Sequence, residues 1–137
     1  ECVDNLPVSL LRALIETRRE DLDRQAADRP TDAVPGVSLA VGIDARDRGR
    51  IASFPEVAAQ LRAEGIEIEV LFLDAEDDVI VRRYSETRRV HPLGALPDAI
   101  TKERALLEGV RGVADRIIDS SVIPHRELRR LIGELYG

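Results

Sequence analysis

The 137 residues contain no tryptophan and no methionine, and only two tyrosines, two phenylalanines and one cysteine. So few rings leave little for unpaired bases to stack on, which disfavours single-strand nucleic-acid recognition by aromatic stacking. With Cys2 alone, no internal disulfide can form, and a reducing, cytoplasmic compartment fits. His91 and His125 are the only histidines and Cys2 is remote from both in sequence, so no zinc ligand set is in view. Lysine is nearly missing as well: the basic residues are nineteen arginines and Lys102. Lys102 lies in a helical pattern beside Glu103, where a surface role is the default. No apolar run approaches the roughly 20 residues of a membrane-spanning helix, and no secretory signal is visible. The patterns G-x-S-x-G, H-E-x-x-H, C-x-x-C and G-x-x-x-x-G-K-[ST] do not occur.

What is present suits one domain with a real core. Hydrophobic residues make up 44% and charged residues 34%, with a formal net charge of -6. That hydrophobic share argues against a disordered chain, and the acidic balance argues against direct, non-specific nucleic-acid binding. Apolar residues alternate with small ones over Val37–Ile43, and a second apolar strand pattern runs over Ile66–Leu73. Arg116–Asp119 is a short third strand, and Cys2–Val3 reads as the tail of a fourth. Helical stripes fall over Leu6–Ala27, Ser53–Glu64, Glu76–Glu86, Asp98–Val113 and Pro124–Tyr136. In the second of these, Ser53 and Glu56 have capping-box spacing. The stretch Asp28–Gly36, with Pro30 and Pro35, is expected to be a loop. This alternation predicts an α/β fold with a mostly parallel sheet.

Each predicted strand ends in an aspartate: Asp4, Asp44, Asp74 and Asp119. Ligands of open parallel sheets bind at the carboxyl ends of strands, and carboxylates there can hold Mg²⁺ through water. The competing role for each is turn former or helix cap. Asp44 stands apart because it follows the strand read as most buried and opens the charged stretch Asp44–Arg50. A second cluster is Arg82, Arg83, Arg88, Arg89 and His91, an inversion of sign within an acidic chain. Arginine suits phosphate because its planar fork donates two parallel bonds and keeps its charge. The alternative is a solvated basic face paired with Asp77 and Asp78, and for His91 a structural role.

Cys2–Pro7 (CVDNLP), Ile43–Asp47 (IDARD), Leu71–Ala75 (LFLDA), Arg82–Leu93 (RRYSETRRVHPL) and Ala114–Ser121 (ADRIIDSS) occur in an order that resembles the N-terminal domain of the RapZ/YvcJ family. These are P-loop nucleotide-binding proteins, also called RNase adapter proteins. The resemblance implies a nucleotide-kinase-like, three-layer α/β/α fold, binding of ATP and GTP with Mg²⁺, and slow hydrolysis of both. It implies that residues 1–137 form part of the nucleotide-binding domain, without the family's first strand and glycine-rich loop and without its C-terminal domain. Such a piece is expected to bind nucleotide weakly, and to be unstable or to pair with a second copy. Asp44, Ala45, Arg46 and Asp47 match a D-x-x-N string associated with guanine nucleotide, with Asp47 in place of Asn. Asp44 is assigned to water-mediated Mg²⁺ contact or to positioning the attacking water. Arg82, Arg83 and His91 are assigned to nucleotide binding, and Arg88 and Arg89 to stabilising phosphate charge. Contacts with RNA-processing machinery are implied through the C-terminal domain. A small-molecule kinase and a non-catalytic regulatory module are the other readings.

Overall fold

A computed structural model describes residues 1–28, 38–47 and 50–137. They form two compact units, Glu1–Ile66 and Glu67–Gly137.

The first unit runs β1 (Cys2–Val3), α1 (Val8–Asp28), β2 (Ala40–Val41), two short 3-10 turns at Ala45–Asp47 and Ile51–Ser53, and α2 (Phe54–Ala63). β1 and β2 pair in parallel, with Cys2 opposite Ala40 and Val3 opposite Val41. Pairing continues past the regular ladder, since the Gly42 amide donates to the Val3 carbonyl at 2.8 Å and the Leu6 amide to the Gly42 carbonyl at 3.0 Å. A Cβ at Gly42 would stand 2.8 Å from Asp4 Oδ1, so a larger residue there would make the Asp4 side chain move aside. The turn into α1 passes through Asn5 in the left-handed region, at φ 53°, a conformation that asparagine tolerates better than most residues. Pro7 immediately precedes the helix, and Val8, Leu11, Ala45, Ile51, Phe54, Ala58 and Leu61 are buried. α1 and α2 are in contact, and Arg12 Nη1 donates to Glu64 Oε2 at 2.8 Å. The helix turns a slightly different face inward than its leucines suggest, because Leu10 is half exposed while Val8 is buried.

The capping box expected at Ser53 and Glu56 does not form. Residues 51–53 are already helical, so Ser53 Oγ turns back to donate to the Arg50 carbonyl at 2.6 Å. The predicted loop 28–36 lies outside the described residues except for Asp28, which closes α1.

The second unit runs β3 (Leu71–Asp74), α3 (Asp77–Thr87), α4 (Asp98–Gly112), β4 (Arg116–Asp119) and α5 (His125–Tyr136). β3 and β4 pair in parallel from Leu71 opposite Arg116 to Asp74 opposite Asp119. Side chains pin both ends of this ladder. At the start, the Val70 amide donates to Asp115 Oδ2 at 2.6 Å, while the Val70 carbonyl accepts from the Asp115 amide at 2.9 Å. At the end, the Asp74 carbonyl accepts the Ser120 amide at 2.8 Å and the Ser120 hydroxyl at 2.9 Å. Val70, Ala75, Val79, Ala99 and Ile100 are buried.

The α/β class and the order of elements agree with the sequence reading. The regular strands are shorter than the apolar runs. β2 finds only Cys2–Val3 opposite it. Ahead of β3, the Glu69 side chain accepts from Arg116 Nε at 2.5 Å and from the Tyr136 hydroxyl at 2.8 Å. Where one mostly parallel sheet was expected, there are two parallel pairs, one in each unit, and among the described residues no third strand joins either.

Candidate functional site

Three of the four strand-end aspartates, Asp44, Asp74 and Asp119, are engaged, each in a different way. In the first unit, Asp44 opens the turn that contains Ala45, Arg46 and Asp47. Its Oδ1 accepts the Arg46 amide at 2.8 Å. Arg46 Nε donates to Oδ1 at 3.0 Å and to Oδ2 at 2.7 Å, and Arg46 Nη2 also reaches Oδ2. The Arg46 guanidinium, outweighing the effect of burial, holds the Asp44 carboxyl below its ordinary pKa. A magnesium ion would find both oxygens already neutralised, so as folded this donor set does not fit Mg²⁺. Among the described residues, no group of three or more histidine, cysteine, aspartate or glutamate side chains could hold a metal. Ala45 is buried. Asp47 Oδ2 accepts the amide of Val8, the first residue of α1, at 2.8 Å. There it satisfies one of the orphan amides of a helix start and sets a negative charge against the helix dipole. Arg48, in the same charged stretch, lies outside the described residues.

In the second unit, Asp74 sits at the carboxyl end of β3, between two arginines of α4. Arg104 Nη1 donates to Asp74 Oδ1 at 3.0 Å, Arg104 Nε to Asp77 Oδ1 at 2.6 Å, and Arg104 Nη2 to the Ala75 carbonyl at 2.5 Å. Arg111 Nε approaches Asp74 Oδ2 at 3.4 Å. Burial pushes the Asp74 carboxyl up, but the hydrogen bonds from Arg104, the Ala75 amide and Arg111 prevail and hold it below its ordinary value. Asp119 accepts the amide and hydroxyl of Ser121, and those bonds lower its pKa. The rim borders an open cleft of about 640 Å³ with Phe72, Ile100 and Leu107 among its apolar walls and Arg83, Arg104 and Arg111 among its polar ones.

The arginine cluster divides. Arg83 is a tie between elements: Nη2 donates to the Ser120 carbonyl at 2.6 Å and Nη1 to its hydroxyl at 3.1 Å. Arg82 is exposed, with Glu86 at 4.0 Å one helical turn on. Arg88 caps the C-terminus of α3 in the left-handed conformation, at φ 52° and ψ 26°. Glycine usually fills that position, because other residues pay a steric penalty for it. Arg88 and Arg89 are both exposed, and among the described residues neither forms an ion pair. His91 is buried, at 3% exposure. Its Nε2 lies 2.7 Å from Glu103 Oε2, its Nδ1 accepts the Leu93 amide at 3.1 Å, and its ring centroid is 5.1 Å from that of Tyr84. Both ring nitrogens are therefore occupied by protein groups.

Asp44, Ala45, Arg46 and Asp47 thus belong to the first unit, and Arg82, Arg83, Arg88, Arg89 and His91 to the second. Arg104, Arg111, Ser120 and Glu103 had not been singled out from sequence. Arg104 and Arg111 are seven residues apart, which puts them on one side of α4, but nothing local names Asp74 as their partner. For Ser120 and Glu103 no local pattern announces the partner.

Among the described residues, no helix is long and apolar enough to cross a membrane. A family model described as the RapZ-like N-terminal domain matches residues 1–137. The chain is 48% identical over 138 aligned positions to a protein of Halorhodospira halophila called a nucleotide-binding protein, covering 97% of this chain and 45% of that one. It is 43% identical over 135 positions to one of the same description from Anaeromyxobacter dehalogenans strain 2CP-C, covering 96% and 42%. A third, from Agathobacter rectalis, is 40% identical over 141 positions, covering 98% and 44%. The chain spans less than half the length of these curated relatives.

Proposed function

The chain belongs to the RapZ-like N-terminal domain family, and on that premise we propose that it contributes to a nucleotide site in which Arg88 and Arg89 hold the phosphates. The observation that carries this reading is the state of those two side chains. Arg46, Arg83 and Arg104 are each bound to protein oxygens. Arg88 and Arg89 are adjacent, exposed, and without an acidic partner among the described residues, in a chain of net charge -6. One of them also holds a backbone conformation that costs energy. Strain of this kind is enriched at ligand sites, and two adjacent unpaired cations attract an anion. A polyphosphate matches it: two planar forks give up to four charge-assisted bonds.

ATP and GTP are the proposed ligands, and slow hydrolysis is the proposed reaction. In that reaction the arginines would stabilise charge that builds on the transferred phosphoryl group. Magnesium, when bound, would neutralise phosphate charge. Asp44 can serve it only after Arg46 leaves the carboxylate, so the reading rests on the arginines. Asp47 and Arg46 remain proposed base-side contacts, with the Val8 amide competing for Asp47. The three-layer nucleotide-kinase-like stack is proposed with them from the family resemblance. A role as an RNase adapter in the cytoplasm, a link to RNA-processing machinery and self-association come from the family resemblance.

The test is calorimetric titration of ATP and GTP into the wild type and into Arg88→Ala/Arg89→Ala. Exposed charge-assisted contacts of about 1 kcal/mol each give a combined loss of roughly thirtyfold. Unchanged affinity in the double variant refutes the assignment.

A further inference from the structure

We infer that His91 and Glu103 are positioning residues for the arginine turn, an inference that rests on the phosphate reading above. Arg88 and Arg89 precede His91 by three and two residues, so whatever fixes His91 fixes the end of that turn. Three elements converge on its ring. The Leu93 amide donates to Nδ1 at 3.1 Å, Glu103 of α4 lies 2.7 Å from Nε2, and Tyr84 of α3 packs beside the ring with centroids 5.1 Å apart. The His91 carbonyl accepts the Gly94 amide at 3.2 Å, and Gly94 is left-handed at φ 118°. Upstream, the Thr87 hydroxyl donates to the Arg83 carbonyl at 2.9 Å. The turn thus leaves the last turn of α3 and is anchored at its far end by His91, while Arg88 and Arg89 between them remain exposed.

Chemistry dictates the tautomer. Nδ1 needs a lone pair to accept from Leu93, so the proton of the neutral ring sits on Nε2 and is donated to Glu103. The carboxylate is in place to select that state, as an orienting acid does for an imidazole elsewhere. With the side chain of His91 fully buried and that of Glu103 24% exposed, the bond is shielded enough to hold one geometry. A held turn loses little entropy when phosphate arrives, and a loose one must be ordered at the expense of affinity. His91 therefore acts through Arg88 and Arg89 without touching the ligand.

Non-additivity is the readout, with tripolyphosphate and ATP as probes and all variants compared at matched folded fraction. His91→Ala and Glu103→Ala are each expected to weaken binding about tenfold. Glu103→Gln, whose amide oxygen still accepts from Nε2, is expected to lose about twofold. In the Arg88→Ala/Arg89→Ala background, His91→Ala should cost nothing further, because the groups it positions are gone. Nitrogen-15 spectra of the wild type should show an unprotonated Nδ1 and a protonated Nε2, which covers the case where His91→Ala fails to fold. A proton on Nδ1, wild-type affinity in Glu103→Ala, or an additive loss in the triple variant each overturns the inference while leaving the phosphate reading intact. If the wild type binds neither probe, the phosphate reading falls and takes this inference with it.

Discussion

Replacing Arg88 by glycine should make the protein more stable and a poorer ligand binder at once. Arg88 holds φ 52° and ψ 26° at the C-cap of α3. In that region the Cβ of an L-residue crowds the following carbonyl, at a cost of about 1–2 kcal/mol. Glycine escapes that cost but loses more chain entropy on folding, about 0.5–1 kcal/mol relative to alanine. The net gain is therefore about 0.5–1 kcal/mol, since no ion pair of Arg88 is given up among the described residues. For a chain of this size that corresponds to a rise in Tm of about 2–4 °C. Arg88→Ala keeps the strained backbone and should leave Tm nearly unchanged. Both variants lose the guanidinium, so both should weaken ATP binding about fivefold, for a contact of about 1 kcal/mol. Thermal melts followed by circular dichroism, run beside the titrations, separate the two effects. A lower Tm in Arg88→Gly, or unchanged binding in both variants, would show that the turn is not a strained phosphate contact.

Two further substitutions probe the roles of Asp47 and Asp74. Asp47→Ala removes the carboxylate that accepts the Val8 amide. It should destabilise by about 1–2 kcal/mol, seen as a lower urea midpoint, with Asp47→Asn losing less because it retains an acceptor. The second concerns acid stability. Asp74 is held below its ordinary pKa, so it stabilises the fold at pH above the ordinary carboxylate value, and that contribution is lost as pH falls through its depressed native value. In Arg104→Ala the burial that raises this carboxyl loses its main counterweight. The acid-unfolding midpoint should then move to higher pH in circular dichroism, and a midpoint that stays put contradicts the pairing.

The apolar runs and helical stripes made the α/β alternation legible, because buried faces leave a period in the chain. The strand ends at Asp74 and Asp119 were legible for the same reason: both sit where an apolar run stops. What the aspartates do was not. Asp44 and Asp74 each end a predicted strand, yet one is bound by its near neighbour Arg46 and the other by Arg104, thirty residues on. Long-range pairing of this kind follows from tertiary geometry and leaves no local trace. His91 shows the same limit, since Glu103, twelve residues on, takes Nε2 while the Leu93 amide takes Nδ1. The missing capping box at Ser53 shows a nearer one, where a preceding 3-10 turn consumed the hydroxyl before the helix could use it.

The most direct test is an ATP titration followed by amide NMR on the wild type. Shifts should be largest from Arg88 to Leu93, saturate with a single dissociation constant, and fade at equal ATP in Arg88→Ala/Arg89→Ala. Shifts confined to Asp44–Asp47, with the segment from Arg88 to Leu93 silent, would place the phosphates elsewhere and contradict the account.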